Sequence, residues 1–387
     1  MIYKNDCTLP TGYLEQLTEK GLDGLPDLIR VIVNEAMRIE RDNYVHAKPY
    51  ERSEERQGHA NGYKPKTVKT RVGEVTFDIP QVREGGFYPN SLEKGIRSER
   101  ALLLTLAEMY VQGISTRKVA AITERLCGTQ ISASQVSRAA QTLDEELERW
   151  RNRPLGEIVY LYLDARYEKV RQAGSVRDAA ILIASGVKKD GKRAILGISV
   201  SLSEAEVHWR SFMEGLVKRG LHGVKLIISD NHAGMGAARK AVFTGVPWQR
   251  CQFHLQQNAG QYVHKKDMRG EVAEDIRTIF NAPDQKMAES YLREKVEKYA
   301  DTTSELADWM EVNIPEGFTV FSFPKPHQRR LRTSNYMERL SQEIKRRTRV
   351  IRVFPNEASC LRLVSAILME FSEEWEFGRI YLNMESS

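Results

Sequence analysis

Two short apolar runs, Ile158 to Leu163 and Val224 to Ser229, each stop at an aspartate, Asp164 and Asp230. Runs of six residues rich in Val, Ile, Leu and Tyr predict buried strands. A carboxylate closing such a strand is costly unless it is solvated, paired or bound to a cation. The intervening sequence adds to the constraint. RDAAILIASGVKKDGKRAILGISVSLS reads as two strands joined at Lys189-Asp190-Gly191, a hairpin signal. A helix from about Glu204 to Arg219 follows, then the second apolar run, a helix through Ala241 and a short strand from about Val246 to Cys251.

Three strands in a meander, a helix, a strand and another helix is the order of an RNase H-like sheet. The expected fold class is therefore α/β, with a mixed five-stranded sheet and flanking helices. In that order Asp164 and Asp230 lie side by side if the first and fourth strands are neighbours. Two close carboxylates repel, and each raises the other's pKa unless a positive charge sits between them. Divalent magnesium suits the pair, because it prefers oxygen ligands and keeps waters for chemistry. A single Asp at a strand end is more often a turn or helix cap, and Asp230 before Asn231 fits that description too; the pair in this strand order favours the metal.

A third acid is expected on a downstream helix. Glu338 fits, in TSNYMERLSQEIKRRT after a cap at Thr333. Glu343 competes: it lies five residues on, about 500° around a helix, so it projects elsewhere and suits pairing with Lys345 to Arg347. Spacing alone does not separate the two. Cys251 and His254 form a C-x-x-H pair in WQRCQFH, but structural zinc takes four ligands and no second pair is evident, so no zinc is expected. A packed Cys251 with His254 turned toward the acids is the reading taken.

The rest of the chain predicts an N-terminal helix from Leu25 to Tyr44 and a polar arm from about Val45 to Lys66. A hairpin in VKTRVGEVTFDIPQV ends before Pro80, and a linker follows in REGGFYPNSLEKG. A helix from Ser98 to Gln112 precedes two segments capped at Ser115 and Ser132 with Gly128 in the turn, which fits a helix-turn-helix. Its second helix presents Ser134, Gln135, Ser137 and Arg138 for base edges or phosphates. An ordinary helical bundle is the plainer alternative. From His254 to about Asn313 the pattern is continuously helical; Pro324 and Pro326 break it, and Asn356 to Phe371 gives a last helix. The expected domains are 1–97 (helix, basic arm, hairpin), 98–153 (helix-turn-helix), 154–260 (first part of the core), 261–325 (all-helical insertion) and 326–387 (end of the core).

Charge is distributed unevenly. The net charge is +6, yet Glu271 to Glu316 holds 12 acidic and 5 basic residues, while Lys325 to Arg352 holds 10 basic residues against Glu338 and Glu343. Clustered cations are what a phosphate backbone needs, since each neutralised phosphate releases counterions. Arg339, Lys345, Arg346, Arg347 and Arg349, with the smaller cluster Lys64, Lys66, Lys69 and Arg71, are the expected DNA contacts. No window approaches the roughly 20 apolar residues of a membrane span. The opening MIYKNDCTLPTGYLEQLTEK is not patterned as a secretory signal. Four cysteines lie far apart, as in a reducing cytoplasm. A soluble cytoplasmic protein is expected.

The stretches NGYKPKTVKTRVGEVTFDIPQVREGGF, YLDARYEKVR, SEAEVHW, WQRCQFH and RTSNYMERLSQEIKRRTRVIRVFPN together resemble the Mutator-type transposases of bacterial insertion sequences, in order and separation, from His59 to Tyr381. The resemblance implies a DDE transposase whose RNase H-like domain is interrupted by an all-helical insertion, after a mainly helical DNA-binding region. Its DDE motif falls on Asp164, Asp230 and Glu338, which selects Glu338 over Glu343. Its C-x-x-H signature falls on Cys251 and His254. Thr333-Ser334-Asn335 is a mild departure from the family's T-T-N. The resemblance further implies Mg2+ (or Mn2+) at the three acids in a two-metal mechanism with no ATP. It implies recognition of terminal inverted repeats and of target double-stranded DNA, a dimer or larger synaptic assembly, and association with the nucleoid. A catalytically inactive DNA-binding derivative, or an RNase H-like nuclease without strand transfer, is the alternative.

Overall fold

The computed structural model describes residues 19–47, 51, 54–83, 86–264 and 267–384. The opening segment with Cys7, parts of the polar arm (48–50, 52–53) and of the linker (84–85) lie outside the described residues. The chain divides into two compact units, Met1–Thr142 and Leu143–Ser387. Each is taken by itself.

In the first unit, helix α1 (Leu25–Val45) opens with Pro26, whose missing N–H falls among the unpaired donors of a first turn, and it ends at His46 in the left-handed region. Strands β1 (Ala60–Thr70) and β2 (Gly73–Val82) form an antiparallel hairpin closed at Thr70 and Gly73. Met37 of α1 packs with Val68, Val75, Phe77 and Ile79 of the hairpin and with Leu92. The hairpin is longer than expected. β1 begins at Ala60, inside the expected arm, and Pro80 lies within β2 opposite Tyr63. A two-stranded ribbon leaves each strand one free edge, where a missing N–H costs no ladder bond. Helices α2 (Arg100–Val111), α3 (Thr116–Cys127) and α4 (Ala133–Ala140) follow. Ser115 caps α3 by accepting from Lys118 N, and Ser132 with Gln135 makes a complete capping box on α4. Leu102, Leu106, Val119, Ile131, Val136 and Ala139 form their shared core.

The second unit opens with α5 (Asp144–Arg151), then β3 (Ile158–Gln172), β4 (Ser175–Lys188), β5 (Arg193–Ser201), α6 (Glu206–Lys218), β6 (Leu226–Ser229), α7 (Ala233–Val242) and β7 (Trp248–Arg250). The expected five-stranded mixed sheet is present, in the order β5-β4-β3-β6-β7. The first three strands are an antiparallel meander, and β6 and β7 run parallel to β3. One face of the sheet buries Leu161, Leu163, Leu182 and Leu196 against Trp209, Met213 and Leu216 of α6 and Met235 of α7.

Beyond β7 the chain is helical: α8 (Gln252–Ala259), α9 (Met268–Phe280), α10 (Gln285–Ala300) and α11 (Ser304–Asn313), with α12 (Lys325–Leu331), α13 (Asn335–Thr348) and α14 (Glu357–Phe377) after two 3-10 turns. Helices α8 to α11 have their own core around Ile276, Ile279, Leu292, Leu306 and Met310. Two expectations change here. Pro326 opens α12 rather than breaking a helix, because a proline in a first turn removes no helical bond. The residue before α13 is Ser334, not Thr333, and its side chain does not cap the helix. Among the described residues no helix is long and apolar enough to cross a membrane.

The turn between β4 and β5 holds the C-terminal segment. Gly191 has φ of +78°, and its carbonyl accepts from Tyr381 N (2.9 Å) and Leu382 N (3.1 Å). A Cβ there would overlap the Leu382 carbonyl oxygen. Gly191→Ala is therefore expected to destabilise the protein by about 2–4 kcal/mol, from left-handed strain plus displacement of the segment. Urea unfolding checks this; a loss below about 0.5 kcal/mol would show the segment to be only loosely held.

Candidate active site

Strands β3 and β6 are parallel neighbours whose last paired residues are Tyr162 and Ile228. Asp164 and Asp230 each lie two residues beyond that pair, but only Asp230 follows a strand end: β3 runs on to Gln172, so Asp164 sits mid-strand, still paired with Ile183 of β4, and does not close its strand as expected. Each turns one oxygen onto the amide that follows it: Asp164 Oδ1 accepts from Ala165 N at 3.0 Å, Asp230 Oδ1 from Asn231 N at 2.7 Å. Burial pushes the Asp164 carboxyl up to about 6; His254 opposes that, and the nearby charges of Asp230 and Glu338 add to it.

Glu338 stands in the first turn of α13, where the helix dipole favours an acid. Its Oε1 is buried without a hydrogen-bond partner. Burial raises its pKa and His254 opposes the rise. Glu343, the competitor, is spent elsewhere. Its two oxygens accept from Arg346 Nε (2.8 Å) and NH2 (2.7 Å) and from Arg347 Nε (2.8 Å). Those guanidinium groups, chiefly Arg346, hold its carboxyl at about 2 despite some burial. The two acids thus stand in different surroundings, Glu343 ion-paired and Glu338 with an unpartnered oxygen.

His254, in α8, faces this acidic group. The Cys251 sulfur is the chief cause that raises its pKa, burial works against it, and Asp230 and Asp164 add to the rise. An imidazolium beside the carboxylates offsets part of their mutual repulsion. Cys251 is fully buried, and its sulfur accepts from Ser334. The sequence reading missed Arg250. This buried residue donates to Asn313 Oδ1 (2.9 Å) and Glu316 Oε2 (2.7 Å), and its Nε lies 3.9 Å from Asp230 Oδ1. An arginine beside the C-x-x-H pair was its only sequence signal.

As placed, no three His, Cys, Asp or Glu side chains among the described residues are drawn close enough to hold a metal ion. The donor chemistry nonetheless suits a hard divalent cation. Asp164, whose carboxyl burial pushes up to about 6, feels the charges of Asp230 and Glu338, and Glu338 keeps an unpartnered buried oxygen.

The expected DNA-contact residues divide. Arg339, Lys345, Arg346 and Arg349 are exposed on or just after α13. Arg347 is not: it is buried and makes a two-pronged bond to Glu370 (2.6 and 3.0 Å), so it cannot meet a phosphate. It lies on the same stripe of α13 as Leu340 and Ile344, and that phase places it inward. In the first unit Lys64 and Arg71 are exposed, Arg71 paired with Glu99 (3.1 Å). Lys66 donates to Tyr88 OH (3.0 Å), and Lys69 to the Gln130 carbonyl. Ser134 and Arg138 are exposed on α4, while the Gln135 side chain is engaged in the capping box. Lys69 and Arg138 line an open cleft of about 730 Å³ together with Lys94, Arg97 and Arg100. These last three escaped the sequence reading because they fall in or beside a stretch whose composition reads as a linker.

A sequence profile described as "Transposase, Mutator family" matches residues 11–378. The transposase for insertion sequence element IS406 of Burkholderia multivorans is 56% identical over 369 residues, 95% of this chain and 95% of the relative. The transposase for insertion sequence element ISRM5 of Rhizobium meliloti is 43% identical, across 94% of this chain and 91% of the relative. The transposase for insertion sequence element IS256 in transposon Tn4001 of Staphylococcus aureus is 37% identical, across 98% of both chains.

The Glu343 assignment has a pH signature. Its folded pKa is depressed to about 2 from an ordinary 4.5, so its contribution is full above pH 4.5 and is lost as pH falls toward 2. Glu343→Gln should cost about 1–2 kcal/mol at pH 7, partly by leaving Arg347 short of a partner. That deficit should vanish near pH 2. Urea midpoints of both proteins across pH 2–7 measure it; a pH-independent deficit would contradict the assignment.

Proposed function

The chain belongs to the Mutator family of transposases, and from that premise we propose that it is the DDE-type transposase of an insertion sequence. It binds terminal inverted repeats and catalyses cleavage and strand transfer at the element's ends. The observation that carries the reading is that Asp164 on β3 feels the charges of both Asp230, just past the neighbouring parallel strand β6, and Glu338, in a helix first turn with one carboxylate oxygen unpartnered. The sheet order supports an RNase H-like core. The separate core of α8 to α11, lying in sequence between Asp230 and Glu338, supports an all-helical insertion.

Asp164, Asp230 and Glu338 would hold magnesium, or manganese in its place. Bound there, such a pair of ions polarises the scissile phosphodiester and steadies the attacking and leaving oxygens of an in-line displacement. Asp164, on the central strand, has both other acids as neighbours. Arg250 steadies Asp230, and His254 offsets the carboxylate charge. The exposed cations Arg339, Lys345, Arg346 and Arg349 hold the DNA backbone beside the acids. Joining exchanges one phosphodiester for another, so the chemistry needs no ATP. Two ends joined in one event call for two such sites, hence a dimer or larger assembly on DNA, in the nucleoid. The cationic cleft of the first unit, beside Ser134 and Arg138, suits the phosphates that flank a terminal repeat.

Two experiments test this reading. On a DNA end of the element, with magnesium, Asp164→Asn should lower cleavage and strand transfer by about three orders of magnitude without lowering the melting temperature, since it removes a charge from a crowded acidic group. Unchanged cleavage would sink the metal-site assignment, and cleavage without joined products would make the protein a nuclease. In binding titrations on terminal-repeat DNA, Arg97→Glu with Arg138→Glu should weaken affinity by roughly tenfold or more and flatten its salt dependence. Equal affinity and an equal salt slope would remove the cleft from the DNA contact.

A further inference from the structure

Cys251 is the buried member of the C-x-x-H pair. We propose that Cys251 is a positioning residue that ties the strand end carrying Asp230 to the turn that launches the helix carrying Glu338. The proposal rests on the reading of the three acids as the metal-holding set.

Cys251 is fully buried at the end of β7 and reaches both elements at once. Its N–H donates to the carbonyl of Ser229, the residue before Asp230, at 2.9 Å. Its sulfur accepts from Ser334 N at 3.5 Å and Ser334 Oγ at 3.4 Å. The next residue reinforces the junction, since Gln252 N donates to Arg332 O at 2.9 Å. Ser334 passes the constraint on: its carbonyl accepts from Met337 N (2.7 Å) and Glu338 N (3.1 Å), the first-turn bonds that orient Glu338.

The behaviour of Ser334 argues for function over simple packing. A serine preceding a helix ordinarily turns its hydroxyl onto the first-turn amides, which stabilises the helix. Ser334 makes no such bond. Its hydroxyl goes back to the sulfur instead, so local helix stability yields to a link across 83 residues of chain. The sulfur is enclosed, and its contacts to Ser334 reach across the two elements. Geometry suits it: a long carbon–sulfur bond and a large soft acceptor span a gap that a serine oxygen would leave wider. Held this way, two of the three acids keep a fixed separation when DNA and metal arrive.

The test uses the full-length chain with four variants: Cys251→Ala, Cys251→Ser, Ser334→Ala and the double alanine. Magnesium binding is read by titration calorimetry, and magnesium activation by the half-maximal concentration for cleavage of a DNA end. Cys251→Ala should raise both constants by about tenfold, with affinity for the DNA end within about twofold of the parent. Cys251→Ser, which keeps an acceptor, should recover part of the loss. The double variant should be no worse than Cys251→Ala alone, because both act on one junction. Unchanged magnesium constants in Cys251→Ala, or losses that simply add in the double variant, would overturn the proposal. If Cys251→Ala does not fold, Cys251→Ser and Ser334→Ala carry the test: parental magnesium constants in both overturn it, and raised constants in both support it. Asp164→Asn distinguishes the two levels. If it leaves magnesium binding intact, the metal reading itself fails; if it abolishes binding while the cysteine variants do not alter it, only the role of Cys251 falls.

Discussion

The parallel pairing of β3 and β6 is the constraint from which the site follows. It sets Asp164, midway along β3, beside Asp230, just past the end of β6, and the Asp164 carboxyl is buried there. Bringing a third acid in from α13 makes the metal-free arrangement less favourable still. The structure meets that cost with cations and dipoles. The imidazole of His254 stands among the acids, Arg250 lies behind Asp230, and the first turn of α13 offers Glu338 its positive end. The raised pKa of Asp164 comes first from its burial; His254 opposes the rise, and the charges of Asp230 and Glu338 are smaller additions to it. On the proposed reading, a bound cation would offset the cost of burying the Asp164 charge.

The helical part of the second unit is fastened to the same place. Gln249 and Gln252, on either side of Cys251, both donate to the carbonyl of Gly317, at 2.9 and 2.8 Å, while Thr319 donates to Trp248 O at 2.6 Å. Gly317 sits so close to the Phe280 ring and Leu255 that a Cβ would have no room. Arg250 adds the charged link to Asn313 and Glu316. The short strand β7 therefore seats the helices on one side and touches both Asp230 and the approach to Glu338 on the other. Movement of the helices would be felt at Asp230 through a buried guanidinium rather than through a flexible loop.

Much of this was legible in the sequence, and the limits have physical reasons. The strands could be read because β-branched and aromatic runs of that length have few other uses. The caps at Ser115 and Ser132 could be read because a hydroxyl before an apolar period has a local job. Where the partner is distant, local reading fails. Ser334 was passed over for Thr333 as a cap because its hydroxyl serves Cys251, far away in sequence. Arg250 looked like one more cation because nothing nearby marks Glu316 as its partner. Pro80 and Pro326 were taken as breaks because whether a proline breaks an element depends on edge and turn position, which the pairing decides.

Charge shows the same limit from another side. Counting cations from Lys325 to Arg352 overstates what DNA can meet, because the count ignores helix phase. Along α13 the residues Tyr336, Met337, Leu340, Ile344, Arg347 and Thr348 share the buried stripe, and Arg339, Lys345 and Arg346 do not. Arg347 falls three residues after Ile344 and seven after Leu340, so its inward direction was implicit in the apolar period. The acidic stretch is likewise divided. Asp275 is held by Lys295, Lys298 and Tyr299, which ties up two of that region's few lysines and leaves its outer surface more acidic than the count suggests. A phosphate backbone drawn to the outer face of α13 finds no continuation along α9 to α11. Within this unit, the cations that α13 leaves exposed, Arg339, Lys345 and Arg346, are the ones the proposed reading would offer to DNA.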